Sequence, residues 1–111
     1  MESVLREQDI NYFLTEIERA FPNFIAGVIT DRNGFPIGSK IEKDFQIQEN
    51  ELALFAIAGN RDFIEDSEYI KVWRNLDKSK DIKLFLLLHK SSQYIHRFKK
   101  LNKIIDTQVL F

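Results

Sequence analysis

Apolar and polar residues follow one another along this chain first with a helical period and then in strand-like runs. Ile10, Phe13, Leu14, Ile17 and Phe21 fall at i, i+3, i+4, i+7 and i+11, with Glu7, Glu16 and Glu18 off the stripe. That spacing predicts an amphipathic helix with one buried face. Phe21-Pro22-Asn23 ends it, because proline pushes the residue before it out of the helical region. "FIAGVIT", Phe24 to Thr30, is a short unbroken apolar run with β-branched side chains, which predicts a buried strand. A second strand runs from Pro36 to Ile41, and its early proline suits a sheet edge.

The next segment is the most informative. Asn50 is a helix cap and Glu51 sits at the positive end of the helix that follows. Leu52, Phe55, Ala56, Gly59 and Phe63 line one face of a helix over 52–64, and Leu54, Ile57, Ala58 and Ile64 line another. A surface helix of a small domain needs one apolar stripe, not two. A partner subunit is the economical cover for the second, with Ala53, Ala56 and Gly59 small enough for close helix approach. The competing reading is a central helix enclosed by its own chain.

"EYIKVWRN", Glu68 to Asn75, sets Tyr69, Lys71 and Trp73 against Ile70, Val72 and Arg74, the period of two of a strand with unlike faces. "IKLFLLLH", Ile82 to His89, reads as a strand at the sheet centre. Ser91 or Ser92 begins a final helix whose Tyr94, Phe98, Leu101 and Ile105 recur at i, i+4, i+7 and i+11. The order is helix, strand, strand, helix, strand, strand, helix. That is an α+β fold, an α/β sandwich with a central antiparallel sheet.

Length and composition add limits. A chain of 111 residues with ten Phe and 44% hydrophobic residues predicts one folded domain over 1–111. With no cysteine, disulfide scaffolds, thiolate nucleophiles and Cys-based zinc sites are excluded. The N-terminus carries charges where a signal peptide needs an apolar stretch, and the longest apolar run, Leu52 to Gly59, is too short to span a bilayer. A cytoplasmic location is expected. Charge is lopsided: residues 1–70 carry six Lys/Arg against fourteen Asp/Glu, and residues 71–111 carry ten against three. Mutual neutralisation across the fold is the simple account.

Chemistry is sparse. "TDRNGFPIGSK", Thr30 to Lys40, resembles a ligand loop, but an EF-hand with Gly34 at its sixth position would start at Ile29 and end at Lys40, neither of which can serve. Gly34 and Gly38 have neither the spacing nor the Gly-Lys-Ser/Thr ending of a phosphate loop. Asn33-Gly34, with Asp31 before it, matches instead the positive-φ demand of a hairpin turn. His89 and His96 make no metal site, no serine sits in a nucleophile elbow, and the carboxylates are scattered. Neither an enzyme nor a cofactor is expected. Arg97, Lys99, Lys100 and Lys103 form a solvated helix face without exposed stacking residues, which argues against nucleic acid.

Taken in order, the leading helix, "FIAGVITDRNGFPIGSK" with its Asp-x-x-Gly hairpin, and the Ala-rich "ELALFAIAGN", Glu51 to Asn60, resemble the Roadblock/dynein light chain domain. The resemblance is in particular to its short single-domain prokaryotic members. The resemblance covers roughly residues 5 to 64 and continues more loosely to the end. It implies a fold of the Roadblock, longin and profilin type and a homodimer made by the second helices and adjoining strand edges. By analogy, Leu52, Ala53, Ala56, Gly59, Asn60, Phe63, Tyr69, Lys71 and Trp73 would form the interface, with Tyr69 to Asn75 as the paired strand. Family dimers serve as platforms for small Ras-like GTPases, some stimulating GTP hydrolysis, or as adaptors in larger complexes. One departure stands out: members commonly place three strands after the second helix, and only two are evident here. Either the sheet is shortened or a brief strand lies in "RDFIEDS". A sensor domain of PAS or profilin-like shape, holding a small molecule between helix and sheet, is the alternative of another class.

Overall fold

Strand β1, Phe24–Thr30, is buried at every residue, as an unbroken apolar run requires when both faces of a sheet are covered. A computed structural model describes residues 7–58, 63–65 (backbone), 68–90 and 97–111 of the chain. In it β1 pairs with β2, Pro36–Ile41, on one side and with β5, Lys83–His89, on the other. Beyond β5 lie β4, Tyr69–Asn75, and a short β3, Phe63–Glu65. All pairings are antiparallel, in the order β2-β1-β5-β4-β3.

Two helices cover one face of this sheet and one covers the other. Helix α1, Glu7–Ala20, buries Ile10, Phe13, Leu14, Ile17 and Ala20. It shares a core with Leu101 of α3, Arg97–Thr107, and with Ile70, Val72, Leu84, Leu86 and Leu88 of the sheet. On the opposite face α2, Glu49–Ala58, packs Leu52, Ala53 and Ala56 on Ile25, Ala26, Val28, Phe85 and Leu87. Ile25 and Ala26 are sequence neighbours on one face. A register shift between Phe24 and Ala26 against β5 turns the strand there, as a β-bulge does. Gly38 of β2 lets α1 close in: a Cβ at that position would lie 2.5 Å from Ile10 Cγ2. Acidic α1 and basic α3 pack against each other on the same face of the sheet.

The predicted order of elements holds, with one addition. The third strand after α2 is present in "RDFIEDS" as β3, pairing Phe63, Ile64 and Glu65 with Val72, Lys71 and Ile70. Two expectations change with it. Phe63 and Ile64 belong to a strand rather than to the faces of the 52–64 helix, because their backbone is taken up by β4. And Tyr69–Asn75 is not the outermost strand: β5 flanks its whole length and β3 flanks Ile70 to Val72. The edges are β2 and β3. Helix α2 also starts one residue before Asn50: the Gln48 carbonyl accepts from the N–H groups of Glu51 and Leu52 (3.0 and 3.1 Å). Gln48 thus occupies the capping position. Ser91, Ser92 and Tyr94 lie outside the described residues.

Candidate functional site

The hairpin at Asp31 to Phe35 is a scaffold rather than a binding loop. The Asp31 carboxylate accepts from the backbone N–H groups of Asn33 (2.9 Å) and Phe35 (3.0 Å). Gly34 N–H donates to the Asp31 carbonyl (3.2 Å), and Asp31 N–H donates to the Phe35 carbonyl (3.1 Å). One oxygen of the carboxylate, Oδ1, is therefore engaged in holding the turn itself. Gly34, at φ +88°, takes the left-handed conformation, and Asn33 does not. The loop is the three-residue kind with a left-handed glycine at its end, not the pair of positive-φ residues that Asn33-Gly34 suggested. Its tip rests on α2, since a Cβ on Gly34 would lie 2.9 Å from Ile57 Cδ1.

Helix α2 carries the feature that organises the surface. Leu52, Ala53 and Ala56 are at most 1% exposed, inside their own chain's core. The interface expected at these three residues is thereby corrected: their side chains already touch the sheet and have no surface to offer. The small alanines permit close approach of helix to sheet instead. What faces outward is the second stripe, with Leu54 62%, Phe55 41% and Ile57 37% exposed. Leu54, Phe55, Ala58 and Glu51 line a shallow open depression of about 340 Å³. Scattered surface leucines are ordinary, but three large apolar residues exposed together on one short helix form a contiguous apolar stripe.

Beside α2 the sheet continues with no helix above it among the described residues. Tyr69, Lys71 and Trp73 alternate with the buried Ile70 and Val72 of β4 and so share the α2 side of the sheet, half-buried. Helix α2 packs on β1, β5 and β2 and meets β4 along an aromatic rim. Phe55 stacks on Phe85 with ring centres 5.7 Å apart, and Trp73 leans on the same Phe85 at 5.3 Å. The Trp73 indole N–H donates to the Phe55 carbonyl at 2.9 Å. Trp73 therefore ties the end of α2 to β4. The Lys71 ammonium lies 5.4 Å from the centre of the Phe55 ring, where the ring quadrupole attracts a cation. At the far end Tyr69 packs edge-on against Phe45 at 6.0 Å and lies 6.2 Å from His89.

The structure thus brings Tyr69, Lys71 and Trp73 next to α2, as a floor rather than an edge. It buries Leu52, Ala53 and Ala56, and it places the backbone of Phe63 at the sheet edge. Gly59 and Asn60 lie outside the described residues. The sequence set Leu54, Ile57 and Ala58 on one face of the helix and Phe55 with Leu52 and Ala56 on the other, and it expected the partner on the latter. Phe55 straddles the boundary, stacked on Phe85 and 41% exposed.

No protein-family model and no curated protein matches this sequence. Similarity appears in three dimensions. A Roadblock/LC7 domain from Streptomyces avermitilis superposes with a TM-score of 0.69 at 9% identity, over 86% of this chain and 91% of that one. Myxococcus xanthus MglB superposes at 0.68 and 13% identity, over 94% and 90%. MglC from Myxococcus xanthus does so at 0.57 and 13%, over 85% and 93%. The chain has the Roadblock/LC7 fold.

Proposed function

We propose that this chain is a non-enzymatic Roadblock-type interaction module. Two copies pair through the outward stripe of α2, Leu54, Phe55, Ile57 and Ala58, with the β3 edges adjoining. The pair binds and regulates a small Ras-like GTPase. The observation that carries the reading is the conjunction of three large apolar side chains exposed on α2 with a half-buried sheet face beside them that no helix covers among the described residues. Burying a Leu, Ile or Phe side chain stabilises by about 1.5 to 3 kcal/mol, so such a stripe favours a partner that covers it. The GTPase as partner is supported by the fold likeness and by the sequence resemblance to Roadblock domains.

The sensor alternative is disfavoured by packing. Between α2 and the sheet, Leu52, Ala53 and Ala56 meet Ile25, Val28 and Phe85 directly, and that contact is filled by core side chains.

Light scattering tests the pairing. The wild-type chain is expected at twice its 13.1 kDa mass at tens of micromolar, and Leu54→Glu at the single mass with an unchanged circular-dichroism spectrum. A wild-type monomer at that concentration sinks the pairing. Pull-down against small GTPases loaded with GDP or a non-hydrolysable GTP analogue then tests the partner. Equal failure in both nucleotide states refutes it.

A further inference from the structure

Strand β2 is an edge of the sheet on the side away from β3, and one half of it is blunted. Pro36 has no N–H to offer, and the register against β1 shifts where Ile29 pairs with Gly38 but Thr30 with Pro36, leaving Ile37 as the extra residue. Proline, a bulge and a lysine (here Lys40) are the devices by which edge strands avoid indiscriminate pairing. The other half keeps a regular ladder. Glu42 N–H donates to the Ile25 carbonyl at 2.9 Å, which fixes the phase of that ladder. Antiparallel pairs alternate between bonded and non-bonded positions. Lys40 and Gly38 therefore turn their backbone groups to β1, and Ser39 and Ile41 turn theirs outward.

A groove of about 480 Å³ runs along this edge from Pro36 to Ser39, walled by Glu7, Ile10 and Asn11 of α1 on one side and Glu49 of α2 on the other, and it meets the regular half of the strand at Ser39. Its walls are carboxylates on opposite faces of the sheet. Glu7 is exposed on the α1 face. Glu49 is exposed on the α2 face, where it accepts a hydrogen bond from Ser39 Oγ at 2.5 Å. The cation of β2 itself, Lys40, turns to the α1 face and lies 3.8 Å from Glu18.

We propose that this groove takes up an extended peptide strand bearing two adjacent basic residues. A strand added in the plane of the sheet would hydrogen-bond to the outward N–H and C=O groups of Ser39 and Ile41, the mode by which sheet edges capture peptides. Its successive side chains point to opposite faces. One basic side chain then meets Glu7 and the next meets Glu49, so a Lys-Lys or Arg-Arg pair fits where a single charge satisfies one wall only. Complementary charge sets the choice of partner, and the backbone ladder supplies the register.

The test uses the full chain and a labelled, end-blocked hexapeptide, Thr-Val-Lys-Lys-Val-Thr, read by fluorescence anisotropy. Expected is saturable binding, weakened about tenfold or more by Glu49→Lys or Glu7→Lys, by a Glu-Glu peptide in place of Lys-Lys, or by N-methylation of the two central peptide bonds. Both carboxylates are exposed, so the variants keep the fold, and circular dichroism checks this. Amide exchange at Ser39 and Ile41 should slow on binding. Absence of binding at millimolar peptide overturns the proposal. So does binding that survives N-methylation, or that is lost on Leu54→Glu and not on Glu49→Lys.

Discussion

The Thr30 hydroxyl is fully buried and has no hydrogen-bond partner among the described residues. A buried polar group without a partner costs about 1 to 3 kcal/mol, and replacing it with an apolar group of the same shape recovers much of that. Thr30→Val is therefore expected to stabilise the chain by about 1 kcal/mol, seen as a melting temperature several degrees higher. A lower melting temperature would mean that the hydroxyl is satisfied. Gly34 predicts the reverse. Its φ of +88° and the 2.9 Å approach to Ile57 Cδ1 leave a Cβ both strained and crowded. Gly34→Ala should destabilise by about 1 to 2 kcal/mol in urea unfolding, with the lower figure if Ile57 swings aside. Asp31→Ala removes two hydrogen bonds in the same turn and should cost about 1 to 2 kcal/mol without touching any ligand chemistry. A loss of metal or phosphate binding on that change would contradict the structural role.

Helix α2 carries a core face and an exposed face within one turn of backbone. Ala56 is fully buried, and Leu54, two residues before it, is 62% exposed. Ala56→Glu places a charge against Phe85 and Val28 and should leave the protein unfolded or insoluble, whereas Leu54→Glu should leave it folded. Soluble, folded Ala56→Glu would show that the helix is not seated as described. Trp73→Phe keeps a ring on Phe85 but removes the donor to the Phe55 carbonyl, for an expected cost of about 0.5 to 1.5 kcal/mol. The sequence made most of this element readable, because apolar residues all round a helix demand two buried sides wherever they lie. It did not distinguish the side that meets the sheet. Phe63 and Ile64 extend the helical stripe as well as they begin a strand, and only pairing with β4 decides between them. The same pairing gave Ile70 to Val72 a second neighbour, so that Tyr69–Asn75 is no longer the outermost strand. Periodicity identifies faces, but which strand is last in a sheet depends on non-local partners that spacing along the chain does not encode. The hairpin was legible because its turn chemistry is local.

One sheet with two helices on one face and one on the other leaves the surface unevenly covered, and this sets how the whole molecule should respond to concentration. Anything that binds the folded state and not the unfolded chain stabilises it by mass action, by about 2.7 kcal/mol when the partner is present at a hundred times its dissociation constant. If the partner is a second copy on the α2 stripe, the melting temperature must rise with protein concentration. Across a hundredfold dilution of the wild-type chain a fall of several degrees is expected. In Leu54→Glu the curve should be flat, and should join the wild-type curve near its dilute end. A flat wild-type curve that coincides with the variant's at every concentration would assign the stripe to a different partner. A slope that persists in Leu54→Glu would locate self-association elsewhere, with the β2 edge next in order. Adding the dibasic hexapeptide distinguishes these cases: it should abolish a slope that originates at β2 and leave one that originates at α2 unchanged.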